Sequence, residues 1–271
     1  MAKVSLTPAL RADYEQLFNT CNVRPERAAA MEALVDRLVA NRARYEAVTV
    51  ATGVPWHFVA VVHNMEASQN FARHLHNGDP LTARTVQVPP GRPKTGAPPF
   101  TWEQSATDSL GLKGLSAGTE WSLSGTLYRL EAYNGWGYRL YHQHVKTPYL
   151  WGFSNHYTSG KYVQDGTWSE TAVTAQCGGA LLLRRMAERG LFGFADQPLP
   201  EAGAAPMAPR FRNTKPDEVA DAAEIAKAKA MQTWLSTFPG IFLTPDGWAG
   251  TNTSNAYHAV TGHFLPGDPR G

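Results

Sequence analysis

A chain of 271 residues, 43% hydrophobic and 18% charged, is too apolar for a disordered protein and long enough for one large domain with a small appendage. Its formal charge of +2 carries no basic stripe, which excludes the phosphate-neutralising mode of nucleic-acid binding. No apolar run reaches membrane-spanning length, and Cys21 and Cys177, two isolated cysteines without metal-ligand spacing, read as reduced small hydrophobes rather than a disulfide framework.

The stretch from Met1 to Thr7 lacks the apolar core of a secretory signal. The expectation is therefore a protein made in the cytoplasm that meets any substrate outside it only after release by another route. Thr7 before Pro8 is a helix start, and Leu10, Tyr14, Leu17 and Phe18 keep helical spacing to about Thr20. From Pro25 to about Thr52 the spacing of Met31, Leu34, Val35 and Leu38 predicts one long helix ending at Gly53. Pro55 opens a third helix, Trp56 to about Ser68, whose near-continuous apolarity predicts burial.

The helical period disappears between Asn70 and Pro99. His76-Asn77-Gly78-Asp79-Pro80 is turn chemistry, and the alternation from Ala83 to Val88 predicts a small β-hairpin followed by a Pro-rich loop. Thr101 and Gln104 form a capping box for the next helix. A further helix is predicted from about Thr119 to Tyr133, with Leu123, Leu127 and Leu130 inward and Asn134-Gly135 as its stop. Residues 135–168 read as a long aromatic loop region, and a helix from about Ser169 to Arg189 closes the domain.

Pro198, Pro200, Pro206, Pro209 and Pro216 then mark a linker, and a helix from about Asp217 to Phe238 leads into a Gly/Asp/Thr-rich tail. The predicted organisation is a domain over 1–191, a linker over 192–216 and a small helical module over 217–271. The predicted fold class is mainly α with a small β-hairpin region.

Glu66 stands out on the third helix. It lies four residues after Val62 and seven after Val59, on their face rather than on a solvated one. A carboxyl held against apolar walls loses hydration, its pKa rises, and it keeps a proton to give to a leaving oxygen. On spacing alone a paired or wet helix-end glutamate is the commoner outcome.

The segment from Pro55 to Ser68, ending in Glu66-Ala67-Ser68 and followed by a turn-rich segment and more helices, resembles the glutamate helix of the lysozyme superfamily: phage endolysins, goose-type lysozymes and lytic transglycosylases. Tyr133-Asn134-Gly135 resembles the element that lines the groove in the last two branches. The resemblance follows the order of elements over roughly residues 45–190. It implies an α+β lysozyme-like fold and cleavage of the β-1,4 bond between N-acetylmuramic acid and N-acetylglucosamine, with Glu66 as general acid. Asp79 would position water or stabilise positive charge and Thr85 would assist, although the interval from Glu66 to Asp79 is longer than in phage-type lysozymes.

His76, Asn77, Tyr133, Asn134 and His156 are the expected sugar-contacting residues, among aromatic rings that include Trp136, Tyr138, Tyr141, Tyr149, Trp151, Tyr157, Tyr162 and Trp168. Glu120 and Glu131 are reserve acidic groups on the helix before that region. His74, His76 and Asp79, joined by a third ligand such as His156, make a zinc amidase the competing enzyme class. The remaining alternatives are a lytic transglycosylase and a non-catalytic wall-binding protein.

At the other end, Asp246-Gly247, Gly250, Thr253 and Ala256 follow Met231-Gln232 and Leu235. This spacing resembles the three-helix peptidoglycan-binding modules, and a docked helical tail that only braces the domain is the alternative. The partner implied is the peptidoglycan glycan strand, with no cofactor, metal, nucleic acid or membrane insertion, and the expected state is a monomer.

Overall fold

Thr7 caps the first helix as its sequence predicts: its hydroxyl accepts from the Leu10 amide at 3.2 Å, and Pro8 sits in the first turn of α1 (Pro8–Asn19). The computed structural model describes residues 4–164, 166–196, 205–236, 238, 241 and 243–271. The single long helix predicted from Pro25 is instead a 3-10 turn at Pro25–Arg27 followed by α2 (Ala28–Ala40) and α3 (Arg42–Thr52). The break falls at Asn41, whose side-chain amide bonds to the Arg37 carbonyl at 2.8 Å and so competes with the helix ladder. Gly53 closes α3 at φ 72, where a Cβ would come within 2.4 Å of the Ala117 Cβ.

α4 (Trp56–Ala67) is buried at every position except Glu66. It packs between α3 and α6 (Leu123–Asn134), while α5 (Trp102–Leu112) lies against α3, and α1 against α6. Each of its larger apolar side chains contributes on the order of 1.5–3 kcal/mol by leaving water, so the position of Glu66 is fixed by a helix buried everywhere else along its length. The predicted capping box of α5 is present in both directions between Thr101 and Gln104.

The hairpin predicted within residues 70–99 does not form. That segment is turn and loop, with a single isolated bridge pairing Arg73 and Pro80. Pro80, Pro89, Pro90, Pro93, Pro98 and Pro99 supply no ladder donors, which outweighs the Thr/Val alternation. The β element lies further on. β1 (Lys161–Gln164) pairs antiparallel with β2 (Thr167–Ser169), with Lys161 opposite Ser169 and Tyr162 opposite Trp168.

Two predicted helix starts move inward. α6 begins at Leu123 because Ser122 caps it, accepting from the Gly125 amide at 3.0 Å, so Glu120 precedes the helix and pairs with Arg11. Short helices α7 (Gly137–Tyr141) and α8 (Pro148–Trp151) interrupt the aromatic region. The helix predicted from Ser169 begins only at Gly179, as α9 (Gly179–Glu188). Just before it, the Gly178 backbone passes so close to the Leu150 carbonyl that a Cβ would sit 2.2 Å from that oxygen.

The architecture is thus mainly α with one small two-stranded sheet among the described residues. No helix among them is long and apolar enough to cross a membrane. The chain divides into two compact units, Met1–Leu183 and Arg184–Gly271.

In the second unit, α10 (Ala222–Leu235) and α11 (Thr251–Thr261) pack on two small cores, one around Ala228, Ala249 and Leu265, the other around Met231, Leu235 and Ile241. The helix predicted to Phe238 ends at Leu235. Residues 197–204 of the predicted linker, with Pro198 and Pro200, lie outside the described residues. Within its described part, Ala208 and Phe211 pack on those cores, and the Phe211 and Arg212 amides bond to the Pro266 and Ala249 carbonyls. Those residues belong to the unit because their apolar side chains and backbone are both satisfied there.

Candidate functional site

Glu66 stands in the last turn of α4, only partly exposed. The helix then stops abruptly. Ser68 and Gln69 are both left-handed, at φ 50 and 61, and turn the Ser68 and Gln69 amides back onto the Asn64 and His63 carbonyls. Left-handed backbone costs a non-glycine residue on the order of 1–2 kcal/mol, and here two such residues follow the acid one position on, after Ala67. Gln176 reinforces the end, donating from Nε2 to the Met65 carbonyl at 2.8 Å.

The carboxyl faces a hydroxyl and a cation. Tyr149, buried on α8, donates to Glu66 Oε1 at 2.7 Å. Tyr133, buried on α6, bonds through its hydroxyl to the Ser109 hydroxyl at 2.8 Å, and the Lys113 ammonium lies 4.6 Å from the centre of the Tyr133 ring. Burial pushes the Glu66 pKa up, against the opposing pull of the Tyr149 hydrogen bond and the Lys113 charge. Burial and the neighbouring Glu66 charge hold the Tyr149 hydroxyl well above its ordinary range, so it stays a donor. A carboxyl whose pKa is raised by burial, beside a hydroxyl that stays a donor, is suited to deliver a proton and then accept one.

The turn at 76–79 approaches this end of α4: a Cβ on Gly78 would lie 3.7 Å from the Glu66 carbonyl oxygen. Within it, Asp79 Oδ2 accepts from the Val86 and Gln87 amides and from Asn77 Nδ2, and these bonds hold its pKa below the ordinary value. Asp79 is therefore an ionised carboxylate held by its own loop.

Several residues expected at the site are committed elsewhere. Asn77 uses its amide on Asp79 and the Gln87 carbonyl, and its Oδ1 accepts from the Asp79 amide, so it builds the turn. Thr85 is buried. Its hydroxyl donates to the Pro89 carbonyl and accepts from the Arg92 amide, which leaves no proton to direct a water. The His76 side chain is enclosed, 2.8 Å from Asp108 and 3.4 Å from the Ser105 hydroxyl.

His74 is likewise spent on Ser105 and the Ala83 carbonyl. His156 Nε2 meets the Leu17 carbonyl and the Thr20 hydroxyl at the end of α1. His74 and His76 share the Ser105 hydroxyl, but Asp79 is held by its own loop and His156 by the end of α1, so the zinc set does not converge. Among the described residues no group of three His, Cys, Asp or Glu side chains is placed to share a metal ion. Asn134, the last residue of α6, is exposed. Of the two reserve acids, Glu120 pairs with Arg11, and Glu131 is buried between the Tyr14 hydroxyl and Arg139. Cys21 and Cys177 are buried free thiols.

Glu66 and Tyr133 are therefore brought together, and Asp79 lies on the turn whose Gly78 approaches the Glu66 backbone, with its carboxylate held by that turn's own loop. Tyr149 and Lys113 complete the cluster. Tyr149 is one aromatic ring among many in the sequence, and Lys113 has no sequence signal beyond its place at the end of α5. A groove of about 980 Å³ lies between α2 and residues 174–177 and meets the end of α4 at Asn64 and Ser68, and Glu66, Tyr133, Tyr149, Lys113 and Asp79 do not line it.

In the second unit Gln232 organises the Asp246–Thr253 turn. Its Nε2 lies 2.7 Å from Asp246, 3.1 Å from the Trp248 carbonyl and 3.2 Å from Thr253, and its Oε1 accepts from the Gly247 amide. Gly247 has φ 80, and a Cβ there would strike Ile225 at 2.6 Å. Gly250 instead has ordinary extended backbone as the first cap of α11. A smaller cavity of about 320 Å³ opens between Gln232, Asp246 and Trp248. Comparison of the chain with family models, curated proteins and solved structures gives no match.

Proposed function

We propose that this chain is a lysozyme-type peptidoglycan glycosidase that cleaves the β-1,4 bond between N-acetylmuramic acid and N-acetylglucosamine, with Glu66 as general acid. The observation that carries this reading is the pairing of a desolvated Glu66, its pKa raised by burial, with the Tyr149 hydroxyl at 2.7 Å. Glu66 protonates the glycosidic oxygen as the bond breaks, and its carboxylate then takes a proton from the attacking group. The ionised Asp79 supports positive charge developing on the sugar ring. The second unit serves as the wall anchor in this reading, supported by the Gln232-centred turn and the cavity beside it.

One observation favours a transglycosylase variant of the reaction. Three donors converge on Asp79 Oδ2, so the residue is invested in its loop, and Glu66 alone would act as acid and then base, with the sugar's own hydroxyl as nucleophile.

The test is digestion of purified walls by the wild-type chain and by Glu66→Gln, with the released ends identified by mass spectrometry. Reducing muramic ends support the hydrolase, and anhydro-muramoyl ends the transglycosylase. Full activity in Glu66→Gln removes both. Free amines released in a chelator-sensitive reaction assign a zinc amidase instead, and wall binding with no released product assigns a non-catalytic binder.

A further inference from the structure

The first unit holds a cavity of about 520 Å³ walled by α1, α6, α7, α8 and the 143–147 loop, and none of Glu66, Tyr133, Tyr149 or Lys113 lines it. Ser5, Thr7 and Gln143 on its wall are exposed, so it opens to solvent. Leu10, Val145 and Trp151 supply an apolar side.

The polar side is a chain of charges with loose ends. Glu131 is buried, and its Oε2 accepts from both the Tyr14 hydroxyl and Arg139 Nε, while among the described residues Oε1 accepts no hydrogen bond. Arg139 Nη1 continues to Asp13 Oδ2, and Asp13 Oδ1 accepts from Lys146 Nζ. Lys146 therefore spends one of its three N–H donors in this chain. With Glu131 ionised, the charges of Asp13 and Glu131 cancel those of Arg139 and Lys146. Thr147, next to Lys146 and only 3% exposed, also lines the cavity, and its buried hydroxyl has no partner. Buried polar atoms are nearly always paired, by protein, water or ligand. A free carboxylate oxygen and an orphaned hydroxyl on one cavity call for a guest that meets both.

We infer that this cavity binds a small zwitterion of amino-acid type with an apolar body, its ammonium on Glu131 Oε1 and its carboxylate on the Lys146 ammonium and the Thr147 hydroxyl. A guest with one charge would unbalance the cancelled set: an ammonium alone adds to Arg139 and Lys146, and a carboxylate alone adds to Asp13 and Glu131. A zwitterion keeps the balance and gains charge-assisted hydrogen bonds at both ends. Its body lies against Leu10, Val145 and Trp151, and the volume falls within the range of small-molecule sites. This binding is independent of the chemistry proposed for Glu66.

The experiment is calorimetric titration of the full chain at neutral pH and fixed ionic strength. The probes are L-leucine and ε-aminocaproate, zwitterions with near and distant charges, and hexylamine and hexanoate, which carry one end each. At least one zwitterion is expected to bind at least about tenfold more tightly than either single-ended probe. Lys146→Met and Thr147→Val are each expected to weaken that zwitterion about tenfold. Lys146 is a partly exposed pair and the Thr147 hydroxyl is unpartnered, so Tm should stay level in the first variant and stay level or rise in the second, which separates lost binding from lost fold. No binding of either zwitterion, a single-ended probe that binds as tightly, or an affinity that survives both substitutions overturns the inference.

Discussion

The hydroxyl of Tyr149 donates to Oε1 of Glu66 at 2.7 Å, joining α8 to the only position of α4 that is not buried. The bond opposes the desolvation that raises the Glu66 pKa, because a hydroxyl donor favours the charged carboxylate. Tyr149→Phe removes that opposition and leaves the burial. The Glu66 pKa then rises further, and the alkaline limb of the kcat/KM profile on wall substrate moves to higher pH. Stability falls by about 1–3 kcal/mol through the lost buried partner. Lys113→Met moves the limb the same way by a smaller amount that shrinks with added salt, since Lys113 is exposed. A limb that stays in place in Tyr149→Phe shows that Glu66 is not the group being titrated.

Stability should carry the same signature with a defined sign. A carboxyl whose folded pKa lies above its unfolded value favours the fold while protonated, so its contribution is complete below the unfolded pKa and is lost as pH rises through the folded pKa. Glu66→Gln keeps an oxygen for the Tyr149 hydroxyl and removes the charge. The variant is expected to match the wild type in Tm at acid pH and to exceed it above neutrality. Thermal melts across pH measure this, and parallel curves for the two proteins would place Glu66 in water.

The parts of this arrangement legible in the sequence are those decided locally. Thr7-Pro8 and the Thr101–Gln104 box each fix a helix start through neighbours within three residues. The apolar run of α4 makes its one acidic residue conspicuous. What the sequence does not disclose are partners brought from afar: Tyr149 is 83 positions from Glu66, and nothing in the chain separates it from the other rings of the aromatic region.

His76 illustrates the converse. A histidine in a turn reads as available, but Asp108 on α5, 32 positions later, encloses it. The Thr/Val alternation of 83–88 carries strand propensity, but its Val86 and Gln87 amides are spent on Asp79 and Pro89 and Pro90 follow without donors. The strand formers Tyr162 and Trp168, which do pair across Gly166, are hidden among the other aromatic residues.

In the second unit, Gln232 is buried with both ends of its amide in use. Gln232→Ala leaves the Gly247 amide, buried with its turn, without its acceptor and unties Asp246 and Thr253 from α10. The expected cost is about 3 kcal/mol, at roughly 1–3 kcal/mol for each buried group left unsatisfied. The measurement is protease susceptibility of residues 205–271 in the full chain, followed by mass spectrometry. Cleavage should begin in the 243–253 turn, and unchanged susceptibility would show that the turn holds without Gln232.

Two glutamates of the first unit have raised pKa values from burial, and their surroundings assign them different work. Glu131 sits between the Tyr14 hydroxyl and the Arg139 guanidinium, and Arg139 also reaches Asp13. A buried acid with a dedicated cation is a structural pair, and breaking such pairs costs about 3–5 kcal/mol because the remaining charge is stranded. Asp13 still compensates Arg139, so Glu131→Gln is expected at the low end of that range, with wall cleavage per folded molecule unchanged. Glu66 has a hydroxyl and only a screened lysine, the surroundings of a group that must release its proton. Glu66→Gln is therefore expected to lower cleavage by at least about a hundredfold while leaving neutral-pH stability equal or improved. Measuring Tm and wall-digestion rate for both variants separates the roles, and activity lost in Glu131→Gln but kept in Glu66→Gln would move the acid from α4 to α6.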